Sequence, residues 1–226
     1  MMDFLSSIVQ EVLRVFYGLT SSIGFPNYGL AIILMTIAVK VLLYPLTKKQ
    51  IQSMKAMSTL QPKMEALKEK YKNDKERLNM ELAELYKNEG VNPLSGCLPL
   101  LIQMPIMIGI FYGIRDFEYV GSSTFMLWDI AKSFKDVNEA MGFNAAMPYL
   151  ILPLLSAITT YIASKQTTPP GGGGAAAQMK MMTLGMPIFI GYISIDFPSG
   201  LVLYWVVMNI MQIIQQAQME KVSGSK

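Results

Sequence analysis

Residues 28–46 read YGLAIILMTIAVKVLLYPL, an apolar run interrupted only by Thr36 and Lys40, with Pro45 near its end. A helix of that length rises ~28 Å at ~1.5 Å per residue, close to the thickness of a bilayer's hydrocarbon core. The run therefore predicts a transmembrane helix, capped by Asn27 and followed at once by Lys48 and Lys49. Four more apolar runs lie downstream. Residues 94–114 carry no charge, and neither do residues 147–163, which include Pro148 and Pro153. Residues 181–195 and 201–217 are joined by Asp196-Phe197-Pro198-Ser199-Gly200, whose Pro and Gly suit a tight turn. The expected fold class is an all-α membrane protein with five transmembrane helices.

Composition points the same way. Apolar residues make up 52% of the chain, charged residues 15%, and mean hydropathy is +0.34. A soluble domain carries about a quarter charged residues, so this one lacks the polar surface to face water all round.

The other stretches are amphipathic or polar. In residues 1–25, Phe4, Ile8, Val12, Val15 and Leu19 recur at helical spacing, widened by Leu5, Val9 and Phe16, with Glu11 and Arg14 opposite. Such a pattern predicts a helix lying in the headgroup plane. A signal peptide is the competing reading, against which Glu11 and Arg14 interrupt any apolar core. In residues 47–92, Met54, Met57, Leu60, Met64, Leu67 and Tyr71 step by three or four, Asn73-Asp74 turns, and Leu78, Leu82 and Leu85 resume the pattern. This predicts an antiparallel helical hairpin. Residues 166–178, with two prolines, four glycines and three alanines in a row, read as a flexible linker, and residues 218–226 as a tail.

Basic residues set the expected orientation. Residues 47–92 hold ten Lys and Arg, whereas residues 115–146 hold three against five acids. By the positive-inside rule the hairpin and C-terminus face the cytoplasm and the N-terminus lies outside. A prokaryotic plasma (inner) membrane is the expected location.

Much chemistry is excluded. There is no histidine, which removes histidine-based catalysis and the common zinc motifs, and the single Cys97 can form neither an internal disulfide nor a metal site. No phosphate-binding glycine motif is present. Nineteen basic against sixteen acidic residues give a net charge of +3, too little to suggest DNA as a partner. No enzyme activity, cofactor or metal is expected.

Lys40 stands out. It lies thirteen residues into the first run, where a charge costs about 2.5–3.5 kcal/mol on insertion scales. It could snorkel to the interface, but about seven residues of helix is far for one side chain. The other four runs hold no acid to pair with it. Water in a cavity open to the cytoplasm is the simplest way to solvate it. Gln103, Thr159, Thr160, Asn209 and Gln212 could line that cavity, although each residue type also serves as ordinary glue between helices. Trp205 reads either as groove lining or as an aromatic belt residue.

Three segments carry a family resemblance. Asn92-Pro93-Leu94-Ser95-Gly96-Cys97-Leu98-Pro99, continuing to Gln103-Met104-Pro105-Ile106, resembles the second-span signature of the YidC/Oxa/Alb insertases. The run from Phe197 through Pro198, Ser199, Gly200, Tyr204 and Trp205 to Asn209 is similar to their fifth-span signature. Residues 28–46, with Gln50, Lys55, Met57, Leu60, Gln61 and Pro62, resemble their first span and hairpin entry. The likeness covers nearly the whole chain, in the short form without a large periplasmic domain.

The resemblance implies five spans around a hydrophilic groove closed to the outside, with a cation that attracts acidic residues of an incoming chain. That cation is usually arginine, and here it is Lys40; where many members carry glutamines at the end of the third span, this chain has Ala163-Ser164. The implied function is insertion of nascent membrane proteins into the lipid bilayer without nucleotide, with the ribosome and the Sec translocon as further candidate partners. Lys40, Gln103, Thr159, Thr160, Trp205 and Asn209 are the expected groove residues, and Met54, Met57 and Met64 the expected client contacts on the hairpin. The last three spans, 15–17 residues each, would thin the bilayer locally. A small-molecule or ion transporter is the alternative, but no internal repeat supports it.

Overall fold

The computed structural model describes residues 2–92, 98–167 and 180–224, and these are almost entirely helical. The expected linker lies outside them except for Gln166 and Thr167, and Cys97 with the start of the second apolar run lies outside them as well.

Helix α1 (Met2–Ser22) is followed by α2 (Tyr28–Leu42), started by the Asn27 side chain, which accepts the Leu30 N–H at 3.0 Å. The first apolar run does not stay straight. Helix ends at Leu42, and α3 (Tyr44–Lys70) departs at 64°. The cause is Pro45 in its first turn, which has no N–H for the Val41 carbonyl and whose ring crowds it. Residues 44–46, expected in the span, therefore belong to α3. A turn started by Tyr71 leads to α4 (Lys75–Asn88), whose first turn is capped by Asp74, accepting the Arg77 N–H at 3.0 Å. The two helices run antiparallel: Lys63 pairs with Glu89, Tyr86 Oη donates to Met64 Sδ at 3.6 Å, and Tyr71 Oη donates to Glu81 at 2.9 Å.

Helix α5 (Leu98–Arg115) carries two glycines four residues apart, and α1 lies against them. A Cβ on Gly109 would sit 3.1 Å from Leu5 Cβ, and one on Gly113 would sit 2.6 Å from Val9 Cγ1. This is the small-xxx-small packing of membrane helices. The apolar residues of α1 are thus divided. Leu13 is buried and Leu5 and Val9 face α5, whereas Phe4, Ile8, Val15 and Leu19 remain exposed.

Beyond α5 the chain forms a cap: strands β1 (Thr124–Phe125) and β2 (Trp128–Asp129) in an antiparallel hairpin, then α6 (Phe134–Met141), opened by a Ser133–Asp136 capping box. Helix α7 (Phe143–Ala146), a 3-10 turn (Met147–Leu150) and α8 (Ile151–Thr167) follow as one apolar helix of 25 residues. This helix is longer than the 17 residues expected of the third span. A π-helical turn (Met181–Gly185) precedes α9 (Met186–Ile193), the widening falling where Pro187 has no N–H for Thr183. The apolar helix Thr183–Ile193 is the short one. At ~16 Å it covers about half a hydrocarbon core. Helix α10 (Ser199–Gly224) is 26 residues long and absorbs most of the expected tail.

Helix α10 packs against both α8 and α2, which scarcely meet each other. The main core joins α1, α2, α5 and α10 around Leu13, Tyr28, Ile32, Ile114, Leu201 and Trp205. At the cap end Tyr17 stacks on Tyr28 at 3.9 Å, and Tyr119 Oη donates to the Ile114 carbonyl. Burial, with the Asp129 carboxylate and Tyr28 nearby, holds the Tyr119 phenol well above its ordinary pKa, so it remains a donor.

Candidate functional site

The contact region that α2 and α8 share on α10 changes character along its length. At the cap end it is apolar: Trp128 packs with Leu152, Val202 and Leu203, joined by Ile33, Phe125 and Val207. Trp128 is only 7% exposed, and its Nε1 donates to the Pro148 carbonyl at 2.8 Å. The Asp129 N–H donates to Tyr149 Oη at 2.8 Å, and Asn27 Nδ2 donates to the Thr124 carbonyl at 3.1 Å. The β-hairpin is thereby fastened to the starts of both α2 and α8. Gly29 lets the Phe125 ring lie on the α2 backbone, where any Cβ would collide with it.

The start of α10 is fastened to the same cap. Its unpaired first N–H groups are satisfied by cap carbonyls: Ser199 N–H to Lys132 O and Gly200 N–H to Ile130 O, both at 2.9 Å. Ser199 Oγ also donates to Lys132 O at 2.8 Å. A Cβ on Gly200 would lie 3.1 Å from Ile130 O and 3.2 Å from both Ile114 and Ile32, so the close approach needs glycine.

About two turns further along α10, ~10 Å from Val202, the lining becomes polar. Asn209 Nδ2 donates to Thr160 Oγ1 at 2.8 Å and to Thr159 Oγ1 at 3.2 Å, and all three residues are buried. Thr159 also donates to the Leu155 carbonyl at 2.7 Å. Another ~9 Å on, Gln215 Nε2 donates to the Lys40 carbonyl at 3.2 Å. The Gln215 side-chain oxygen is buried and has no hydrogen-bond partner among the described residues, as is true of Gln166 at the end of α8.

Lys40 is half-buried in the last turn of α2, two residues before the bend. The expectation placed it deep in a straight span; here it stands in the last turn of α2, where the helix dipole favours a cation. No described carboxylate is ion-paired with it.

The expected groove residues fall in four places. Lys40 lies with Gln215, and Thr159 and Thr160 with Asn209. Gln103 stands apart, donating to Tyr204 Oη at 3.0 Å across α5 and α10, and Trp205 is buried in the main core. Met54, Met57 and Met64 are half-buried on α3. Gln215, Gln166 and Trp128 were not expected. Gln215 had a signal, since it follows Gln212 by three positions on a helix that also carries Asn209, Gln216 and Gln218. Trp128 had none, because only the folded hairpin brings it onto Leu152, Val202 and Leu203. Among the described residues no three His, Cys, Asp or Glu side chains gather into a metal-binding group.

Comparison with known proteins places the chain in a family. The family model for the 60Kd inner membrane protein matches residues 18–226. The membrane protein insertase YidC of Geotalea daltonii is 39% identical over 219 residues, 96% of this chain and 38% of its own length. That of Geobacter sulfurreducens is 40% identical over 190 residues, 84% of this chain and 33% of its own. The chain belongs to the YidC insertase family. A crystal structure described as an active YidC insertase with its first transmembrane domain resolved superposes with a TM-score of 0.64 at 29% identity, covering 92% of this chain and 45% of that one. The chain thus spans between a third and a half of the length of these YidC relatives, and it is a membrane protein as they are.

Proposed function

We propose that the chain inserts nascent membrane proteins into the bilayer by way of the α2–α8–α10 crevice, with Lys40 as the receiving charge. The observation that carries this reading is Gln215, which holds the Lys40 carbonyl while its own buried side-chain oxygen has no partner among the described residues, beside a Lys40 that no described carboxylate neutralises. Ammonium and amide oxygen both ask for a polar visitor. An acidic tail of a client supplies a carboxylate for the first and backbone N–H groups for the second.

The energetics are of a useful size. Two opposite charges ~4 Å apart at an effective dielectric of 20 attract by about 4 kcal/mol before desolvation, enough to recruit and weak enough to release. Lysine cannot grip a carboxylate through two parallel bonds as arginine does, so recognition is by charge rather than by shape. The Thr159–Thr160–Asn209 group continues the polar path inward, and the apolar plug stops it before the far surface. The client's own apolar segment then partitions into lipid, driven by ~25 cal/mol per Å². No nucleotide enters this scheme.

In the orientation set by the basic residues, the hairpin and Lys40 open to the cytoplasm and the cap faces outside. The basic α3–α4 hairpin, with Met54, Met57 and Met64, is the element placed to meet clients, the ribosome or the Sec translocon. The test replaces Lys40 with Ala, Arg or Glu in cells depleted of their own insertase. Clients with acidic translocated tails are then scored by protease protection. Arg is expected to support insertion and Ala and Glu to lose it; equal insertion by all three would overturn the proposal.

A further inference from the structure

The cap presents an apolar tip whose chemistry is wrong for water. Strands β1 and β2 pair Phe125 with Trp128, leaving Met126 and Leu127 as a two-residue turn. Met126 has φ +53°, a left-handed conformation. Such turns favour Asn or Gly, which reach that region without strain. Here the positions hold large apolar side chains, 74% and 61% exposed. The tip does not lack for anchorage, since the strands are held through Trp128, Asp129 and Thr124 as described above. The chain has thus used a strained turn to hold two apolar side chains outward, and no charge lies between Tyr119 and Trp128.

A second observation says what covers them. Phe143, Met147, Ile151, Leu154, Ile158 and Ile162 are all exposed and step by four, four, three, four and four residues. They form one face of the 25-residue helix that is long and apolar enough to cross a membrane. The first two stand at the end of that helix where Pro148 and Tyr149 hold the β-hairpin, so the exposed apolar stripe begins beside the cap.

We propose that the Met126–Leu127 turn, with Phe143 and Met147, is seated in the headgroup–acyl boundary of the leaflet at the cap end. The β-hairpin is then an anchor in lipid as well as a plug. Phospholipid is the occupant because the stripe runs unbroken into the span. The inference rests on membership of a membrane-protein family and not on the insertase reading, so either can fail alone.

Nitroxide labels test it on the full chain in phosphatidylethanolamine–phosphatidylglycerol vesicles, with Cys97→Ser as background. Labels are placed at Met126→Cys and, independently, at Phe143→Cys. Leu154→Cys on the α8 stripe and Met80→Cys on the exposed face of α4 serve as lipid and water references. Collision with oxygen is compared with collision with a water-soluble nickel chelate. At both test sites the oxygen-to-nickel ratio is expected to exceed that at Met80 several-fold and to approach that at Leu154. A ratio matching Met80 overturns the proposal, and so does protection from both reagents, which would mean protein covers the tip.

Discussion

Gln215 on α10 reaches across to donate its amide N–H to the Lys40 carbonyl, in the turn where α2 ends. The bond fastens the long central helix to the bend that sets the position of the ammonium. One half of the Gln215 amide is used in this way, and the other is buried without a partner among the described residues.

Substitution of Gln215 should separate position from charge. Gln215→Leu loses one hydrogen bond, worth about 1 kcal/mol, but also removes an unsatisfied buried oxygen, so the net change in detergent thermal stability should be under ~1 kcal/mol. Gln215→Glu places a carboxylate where it can neutralise Lys40. Its insertion of acidic-tailed clients should fall as far as that of Lys40→Ala, while the Leu variant keeps a substantial part. Protease protection of the same clients reads both, and an unimpaired Glu variant would remove Lys40 from the mechanism.

Asn209 should behave as part of a coupled group. Its amide serves both Thr160 and Thr159, whereas Thr159 has a second outlet in the Leu155 carbonyl. Asn209→Leu is therefore expected to cost about 0.6–1.7 kcal/mol, the range of interhelical hydrogen bonds in membrane proteins. In a double-mutant cycle read by unfolding in mixed micelles, the coupling of Asn209 to Thr160→Val should exceed its coupling to Thr159→Val. The reverse order would mean that the shorter bond is not the stronger.

The glycine pair on α5 should control the seating of α1. Gly113→Val drives a branched side chain into Val9, whose Cγ1 lies 2.6 Å from where a Cβ would stand. Overpacking of this kind costs about 1–3 kcal/mol. Gly18, with open space around it, is the control: Gly18→Val should cost far less. Disulfide trapping between Leu5→Cys and Gly109→Cys, whose Cβ atoms would lie 3.1 Å apart, compared with and without Gly113→Val in the same chain, reads whether α1 stays in place.

The helical runs and the polar residues on them were legible in the sequence because both rest on local pattern: apolar periodicity, caps and isolated polar positions. What the pattern missed was geometry. Pro45 was visible, but its 64° bend converts Lys40 from a mid-span charge into a helix-terminal one, and a hydropathy window cannot see that. The Gly109–Gly113 spacing was equally present in the sequence, yet it gains meaning only once α1 lies against it. Gln103 looked equivalent to Asn209 and is not, since Tyr204 draws it to the α5 side of α10. The cap was least legible. Its two-residue strands follow no period, and its role comes from contacts between residues 20 or more positions apart, such as Trp128 with Pro148.

Those contacts make Trp128 the residue on which closure of the crevice should turn. It combines a packed ring over Leu152, Val202 and Leu203 with a 2.8 Å bond to the Pro148 carbonyl. Trp128→Phe keeps most of the ring and gives up the bond, for about 1 kcal/mol. Trp128→Ala removes both, a change of roughly 3–5 kcal/mol where a core cannot collapse. The global fold should survive, because the main core around Trp205 is a separate cluster. The plug should not. In proteoliposomes under an imposed proton gradient, Trp128→Ala should collapse the gradient faster than the unaltered chain, with Trp128→Phe close to unaltered. If the Ala variant stays folded and as tight as the parent, the polar path through Asn209 does not end beneath this indole.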